Sequence, residues 1–379
     1  MAARPGGHLA KMHRMPWLLR VCGVSTFTLL TLNLSLLVLV AILEVGGITP
    51  ASHPIIEMDP ALSFPLQDPT VSTTWLVIIS LVIPAVLCTL VEVVRVTMIA
   101  LADEDRIDDN SSSYDGEQHA EDATTTKRCC RCQIILAVLR ILSRLLLALM
   151  VTILLTNAVK LACGRPRPNF FALCDYKGYG TILADADHGS PSRTNLALKP
   201  YFESVTAGHF GSLSNCKAGA KDVAQAQKSF PSGHSSCSFC GCCFLALAID
   251  QHVIVAAARA LRMQTKSKRR RIIATTPQFM LTSRFTFIAH IMTSDVVRML
   301  SAMFWCGVAA FVAASRFFDN WHFAGDVVGG STIGTLVSVA VWWITSNNED
   351  ESGNCGSGSE ERSSSGGVGG GVSDSYEVL

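Results

Sequence analysis

Three short polar stretches in this chain carry residue types suited to handling a phosphoryl group. In the first, Lys160-Leu161-Ala162-Cys163-Gly164-Arg165-Pro166-Arg167-Pro168, six residues separate Lys160 from Arg167, and prolines stiffen the segment that presents the arginine. Arginine offers a planar fork to two phosphate oxygens and lysine a compact positive charge, so the pair can hold a dianion. The ordinary alternative is a basic flank at a helix end reaching for headgroups. Arg165-Pro166 nearly duplicates Arg167-Pro168, and the spacing from Lys160 favours Arg167 as the ligand.

The second stretch, Ser229-Phe230-Pro231-Ser232-Gly233-His234-Ser235-Ser236, lies directly before an apolar run. It supplies a capping hydroxyl, a glycine that admits close backbone approach, and N–H groups at a helix start, where anions bind. His234 would sit beside such an anion as an acid or base for neutral pH. The alternative is a helix cap with an incidental histidine. The third stretch runs from Ser315 and Arg316 through Phe317, Phe318, Asp319, Asn320 and Trp321 to His322, Phe323, Ala324, Gly325 and Asp326. If a helix begins near His322, Asp326 is its i+4 neighbour on the same face, and the carboxylate can orient the imidazole. A structural His–Asp pair at a helix end is the alternative there.

Six apolar segments must position these stretches: 21–43, 75–94, 141–159, 235–258, 299–314 and 323–344. Each approaches the roughly 20 residues that cross a bilayer. The chain of 379 residues is 49% hydrophobic and only 16% charged, below the quarter typical of soluble domains, and its mean hydropathy is +0.35. A net charge of +1 with no basic stripe argues against a nucleic-acid partner. The expected fold is therefore all-α, a bundle of six transmembrane helices. Residues 1–20 are expected to be a cytoplasmic segment, 21–345 the membrane domain and 346–379 a disordered Gly/Ser-rich tail. Within the domain, 103–126 reads as a disordered acidic insert and 160–234 as a long loop.

Lysine and arginine are absent from 44–74 and dense between 259 and 271, which places both termini in the cytoplasm. The three polar stretches follow the third segment, precede the fourth and join the fifth to the sixth, so all fall on one membrane face whichever way the bundle points. That face is expected to be non-cytoplasmic, extracellular or lumenal, in the plasma membrane or an endomembrane.

In order and placement, the three stretches resemble the signature motifs of the lipid phosphate phosphatase family, within the type-2 phosphatidic acid phosphatase superfamily. The resemblance covers about 21–344. It implies that Lys160, Arg167 and Arg316 bind phosphate, with hydrogen bonds from Ser232 and Gly233. It implies further that His322, oriented by Asp326, is the nucleophile and His234 the general acid and base. The activity implied is metal-independent hydrolysis of phosphomonoesters such as phosphatidic acid through a phosphohistidine, with no cofactor and no metal site. The commonest animal form has a second histidine in the third motif; here Trp321 and Phe323 flank a single His322, which bears on substrate preference. Cys174 and Cys216 would lie on the oxidising side, where a disulfide can staple the long loop. Two other readings stay open: a catalytically inactive membrane signalling relative, and a lipid phosphotransferase. The expected partners are a lipid phosphate substrate and the bilayer, with self-association left open.

Overall fold

Long apolar runs can satisfy their backbone in lipid only as helices, and this chain is helical through all of its apolar runs that are described. The computed structural model describes residues 17–45, 48–110, 119–183, 198–203, 205–270 and 295–353. The chain divides into two units, Met1–Trp342 and Trp343–Leu379.

The principal helices are α1 (Trp17–Val45), α2 (Thr73–Val77), α3 (Ile83–Asn110), α4 (His119–Cys163), α5 (Phe170–Leu173), α6 (Ala220–Ala226), α7 (Gly233–Arg270), α8 (Asp295–Phe318) and α9 (Ala324–Gly353). A π-helical stretch, Ile78–Val82, joins α2 to α3. Its cause is local. Pro84 has no N–H to return to the Ser80 carbonyl, and the Ile83 N–H bonds instead to the Ile78 carbonyl five residues back. The freed Ser80 backbone comes so close to α7 that a Cβ on Gly241 would lie 2.0 Å from the Ser80 oxygen.

Among the described residues, five helical stretches are long and apolar enough to cross a membrane: Thr26–Leu43, Thr73–Thr97, Cys132–Cys163, Asp295–Phe318 and Ala324–Ser346. The expectation was six. The expected span 235–258 is not among them, and its side chains beyond residue 251 lie outside the described ones. It falls in α7, which packs against α3, α4 and α8, with Cys240, Cys242, Phe244, Leu245 and Ala248 fully buried. The outer helices expose apolar surface, with Leu34, Val38 and Ile42 on α1 and Met303, Phe304 and Phe311 on α8.

α3 runs to Asn110 and α4 begins at His119, on either side of residues 111–118, and α9 continues to Gly353; the rest of the expected insert and tail lies outside the described residues. The wholly helical reading also omits two antiparallel strand pairs. β1 (Ile55–Ile56) pairs with β4 (Phe210–Gly211), and β2 (Tyr179–Leu183) with β3 (Leu198–Phe202). These strands, with α5 and α6, form a small cap around Phe170, Phe171 and Tyr176, and a disulfide joins Cys174 to Cys216 within it.

The bundle core is Cys88 of α3, Ile141, Leu145, Ala148 and Leu149 of α4, Cys240, Phe244, Leu245 and Ala248 of α7, and Trp342 of α9. Small residues bring α9 onto the start of α7. A Cβ on Gly330 would lie 2.4 Å from the Ser232 carbonyl oxygen, and one on Gly334 2.1 Å from that of Ser236.

Candidate active site

Each polar stretch is shaped by a helix terminus. α4 stops after Cys163 because Gly164 takes a left-handed φ of +55°, and a Cβ there would collide with the Ala51 carbonyl. The chain then turns through Arg165 and Arg167 into the cap. α7 starts with Ser232 as its cap, the Ser235 N–H donating to Ser232 Oγ at 3.4 Å. α8 ends in a turn whose Asn320 adopts φ +61°, and the N–H groups of Trp321 and His322 return to the Arg316 carbonyl. α9 begins one residue after Phe323, whose N–H donates to Asp326 Oδ2 at 3.0 Å; an acid at the third helical position thus caps its own helix.

Between these termini lies a cavity of about 550 Å³. Lys160, Arg167, Gly233, His234, Arg316 and His322 line it, together with Gln225 and Trp321. Its deeper wall is mostly apolar, with Leu76, Val77 and Leu81 on one side and Leu146, Leu149, Met150 and Ile153 of α4 on the other, interrupted by Thr73, Ser80, Thr156 and Asn157. Leu146 lies fourteen positions before Lys160, about 21 Å along a helix at 1.5 Å per residue, so the cavity reaches well down into the bundle.

The cations are held rather than loose. Arg167 is 7% exposed, donates from Nε to the Gln225 carbonyl at 2.8 Å, and lies 5.1 Å from the centre of the Trp321 ring. Burial lowers its pKa to about 10, with Arg316 adding to the shift and Asp326 opposing it, so it stays charged at neutral pH. Arg316 is 3% exposed and donates from Nη2 to Asp319. The Lys160 ammonium approaches the start of α7, 3.2 Å from where a Cβ on Gly233 would lie.

Both imidazoles are depressed toward the neutral form. Burial pushes His234 down to about 4, with Arg316, Lys160 and Arg167 reinforcing and the Val71 carbonyl opposing. Its Nε2 is buried with no protein partner. Burial likewise lowers His322; Asp326 opposes the shift, and Arg167 and Lys160 add to it.

Two expected residues stand behind the cavity wall. Ser232 is fully buried and spends its hydroxyl on capping α7. Asp326 is also fully buried, but its Oδ2 lies 3.7 Å from His322 Nδ1, too far for a hydrogen bond. Its acceptors are taken: Oδ1 by Arg165 Nη1 at 2.8 Å, and Oδ2 by Ser229 Oγ at 2.5 Å and the Phe323 N–H. Arg165 and Ser229 therefore serve Asp326, and neither lines the cavity. Sequence reasoning gave Ser229 no role and offered Arg165 only as a spare ligand; the partners lie 161 and 97 positions away.

Fold and cavity together define a multi-pass helical membrane protein with a cavity lined by Lys160, Arg167 and Arg316 among its helix ends. The chain belongs to the PAP2 superfamily, whose family model matches residues 141–350. It is 29% identical to lipid phosphate phosphatase 1 of Arabidopsis thaliana over 194 residues, 51% of this chain and 41% of that protein. It is 31% identical to lipid phosphate phosphatase 2 of the same plant over 195 residues, 51% of this chain and 47% of that protein. Phospholipid phosphatase 2 of Homo sapiens is 30% identical over 159 residues, 42% of this chain and 43% of that protein. The chain thus aligns with less than half the length of these relatives. No solved structure matches.

Proposed function

We propose that this chain is a lipid phosphate phosphatase that hydrolyses phosphomonoesters such as phosphatidic acid without a metal ion, through a phosphohistidine on His322. The observation that carries this reading is the joint character of the cavity, in which three cations and two imidazoles meet a mostly apolar trough that reaches to Leu146, about 21 Å along α4 from Lys160. A soluble phosphate ester has no use for the trough, whereas a lipid fills it with acyl chain while its headgroup meets the cations.

In the proposed reaction Lys160, Arg167 and Arg316 bind the nonbridging phosphate oxygens, and the Gly233 backbone N–H lies at the helix start beside them. Nε2 of His322 attacks phosphorus in line with the ester oxygen. The bound phosphate dianion offsets the cations that keep His234 neutral, so His234 takes up a proton in the complex. As the P–N bond forms and the P–O ester bond breaks, it gives that proton to the departing lipid alkoxide. Water then attacks the phosphohistidine with His234 taking its proton, which releases phosphate and restores both imidazoles. Asp326, held by Arg165 and Ser229, stabilises the positive charge that His322 gains on attack. Ser232 acts indirectly by fixing the first turn of α7. The three stretches then lie on the extracellular or lumenal face, both termini lie in the cytoplasm, and α7 is the sixth span, sheltered by its neighbours.

The test uses the purified full-length protein with a chelator present, assayed on phosphatidate, lysophosphatidate, sphingosine phosphate and the soluble glycerol 3-phosphate. Lipid substrates should exceed the soluble one in kcat/KM by orders of magnitude, and His322→Asn should abolish both turnover and covalent labelling by substrate phosphorus. Equal use of glycerol 3-phosphate, or an active His322→Asn enzyme, overturns the proposal.

A further inference from the structure

The connection between α1 and α2 reaches each of the three polar stretches, although its sequence carries no lysine, arginine or phosphate motif. The Ala51 N–H donates to the Leu161 carbonyl at 2.9 Å and the Phe64 N–H to the Pro168 carbonyl at 3.1 Å. Trp321 Nε1–H donates to the Gln67 carbonyl at 3.0 Å. Val71 lines the same cavity as His234. Most telling is Thr70, which donates twice to one carboxylate: its N–H to Asp319 Oδ2 at 2.8 Å and its hydroxyl to Asp319 Oδ1 at 2.6 Å. The same Oδ2 accepts Nη2 of Arg316, and Asp319 is only 6% exposed.

We propose that Asp319 is a positioning residue for Arg316, and that Thr70 fixes Asp319, so that the α1–α2 connection sets the aim of one phosphate-binding cation. This rests on the reading of Arg316 as a phosphate ligand. A guanidinium is a rigid fork, so fixing Nη2 determines where the remaining donors point. Arg316 Nε is turned to Ser315 Oγ at 3.4 Å, which leaves Nη1 as the arm with no hydrogen bond among the described residues on a side chain that lines the cavity. A buried carboxylate free to rotate would instead pair with the guanidinium end-on and compete with an incoming phosphate. Two hydrogen bonds from Thr70, one to each oxygen, lock the carboxylate plane and share out its charge. Arg316 and Asp319 lie three positions apart at the end of α8, so the helix brings them together, while Thr70 arrives from 249 positions away.

The experiment measures inhibition of the purified full-length enzyme by vanadate, in detergent micelles containing phosphatidate, for Arg316→Ala, Asp319→Asn, Thr70→Val, Thr70→Ser and the double variant Arg316→Ala/Asp319→Asn. Asp319→Asn should weaken vanadate by about tenfold or more, the range for a hydrogen bond to a charged group, with KM raised more than kcat is lowered. Thr70→Val should weaken it in the same sense, and Thr70→Ser, which keeps the hydroxyl, should recover most of the loss. The double variant should bind vanadate no more weakly than Arg316→Ala alone, because the two residues act through one guanidinium. A purely structural tie would lower the melting temperature of Asp319→Asn yet leave vanadate inhibition of the folded enzyme unchanged; that result, or additivity in the double variant, overturns the proposal. If Asp319→Asn does not fold, Thr70→Val against Thr70→Ser decides by the same readout. An Arg316→Ala enzyme with wild-type vanadate inhibition would remove the phosphate-ligand reading itself, whereas an impaired Arg316→Ala beside a normal Asp319→Asn removes only the positioning role.

Discussion

Lowering the pH from 7.5 to 4.5 should destabilise the ligand-free protein through His234, and the size of the effect follows from where that imidazole sits. It occupies the first turn of α7, ahead of the apolar run, with burial and the charges of Arg316, Lys160 and Arg167 all favouring its neutral form, and its pKa lies at about 4 against an ordinary 6.5. Between those values the unfolded chain binds a proton that the folded protein refuses, so stability falls as pH falls through this window and the loss is complete below pH 4. The loss is about 2 kcal/mol at pH 5 and about 3 kcal/mol at its limit. His234→Gln cannot titrate and should show a shallower decline. Melting temperatures in detergent, measured every half pH unit, should diverge by about 2–3 °C at pH 5 and converge above pH 7. Vanadate should flatten the wild-type curve, since a bound anion offsets the cations that repel the proton. Parallel wild-type and His234→Gln curves between pH 4.5 and 6.5 would refute the placement of His234 in a desolvated, cationic wall. His322 is displaced in the same direction, so a steeper wild-type slope than His234 alone gives agrees with the argument.

Arg165→Ala should cut turnover by tenfold or more while leaving vanadate affinity within about threefold, because it removes the partner of a buried carboxylate rather than a cavity-lining cation; a fall in vanadate affinity as large as that of Arg167→Ala would show Arg165 to be a ligand after all. Gly330→Ala should lower the melting temperature by several degrees, since its Cβ would meet Ser232 backbone at 2.4 Å and overpacking of this kind costs about 1–3 kcal/mol; an unchanged melting temperature would mean that α9 does not press on the start of α7.

How much of this could be read in the residues depends on the distance over which each signal acts. Apolar runs mark helices one at a time, so α1, α3, α4, α8 and α9 were visible, and only their ends were misplaced where charged turns continue a helix beyond the lipid. α7 was visible in the same way, as the run 235–258, and its first half packs against α3, α4 and α8. Lys160, Arg167, His234, Arg316 and His322 could be picked out by type and spacing, and the structure brings all five to one cavity. The second layer was harder. The Ser232 hydroxyl caps α7, and Asp326, 3.7 Å from His322 Nδ1, also accepts from Arg165, Ser229 and the Phe323 N–H. Those contacts are made across folded elements, and nothing in local spacing announces them. Asp319 is the exception, because its position three residues after Arg316 at a helix end was a readable hint of an ion pair.

The carboxylate of Asp326 also has a consequence for how the protein is made. Arg165 and Ser229 are synthesised long before Asp326, the acceptor that both of them share, and until it emerges they flank a buried position with no anion in it. A nascent or truncated chain ending before α9 therefore lacks the carboxylate that ties the Arg165 segment to the start of α7. Protease accessibility of the Arg165 segment in ribosome-stalled chains should drop only once Asp326 has left the exit tunnel; protection of chains stalled earlier would show that the first two stretches settle without it.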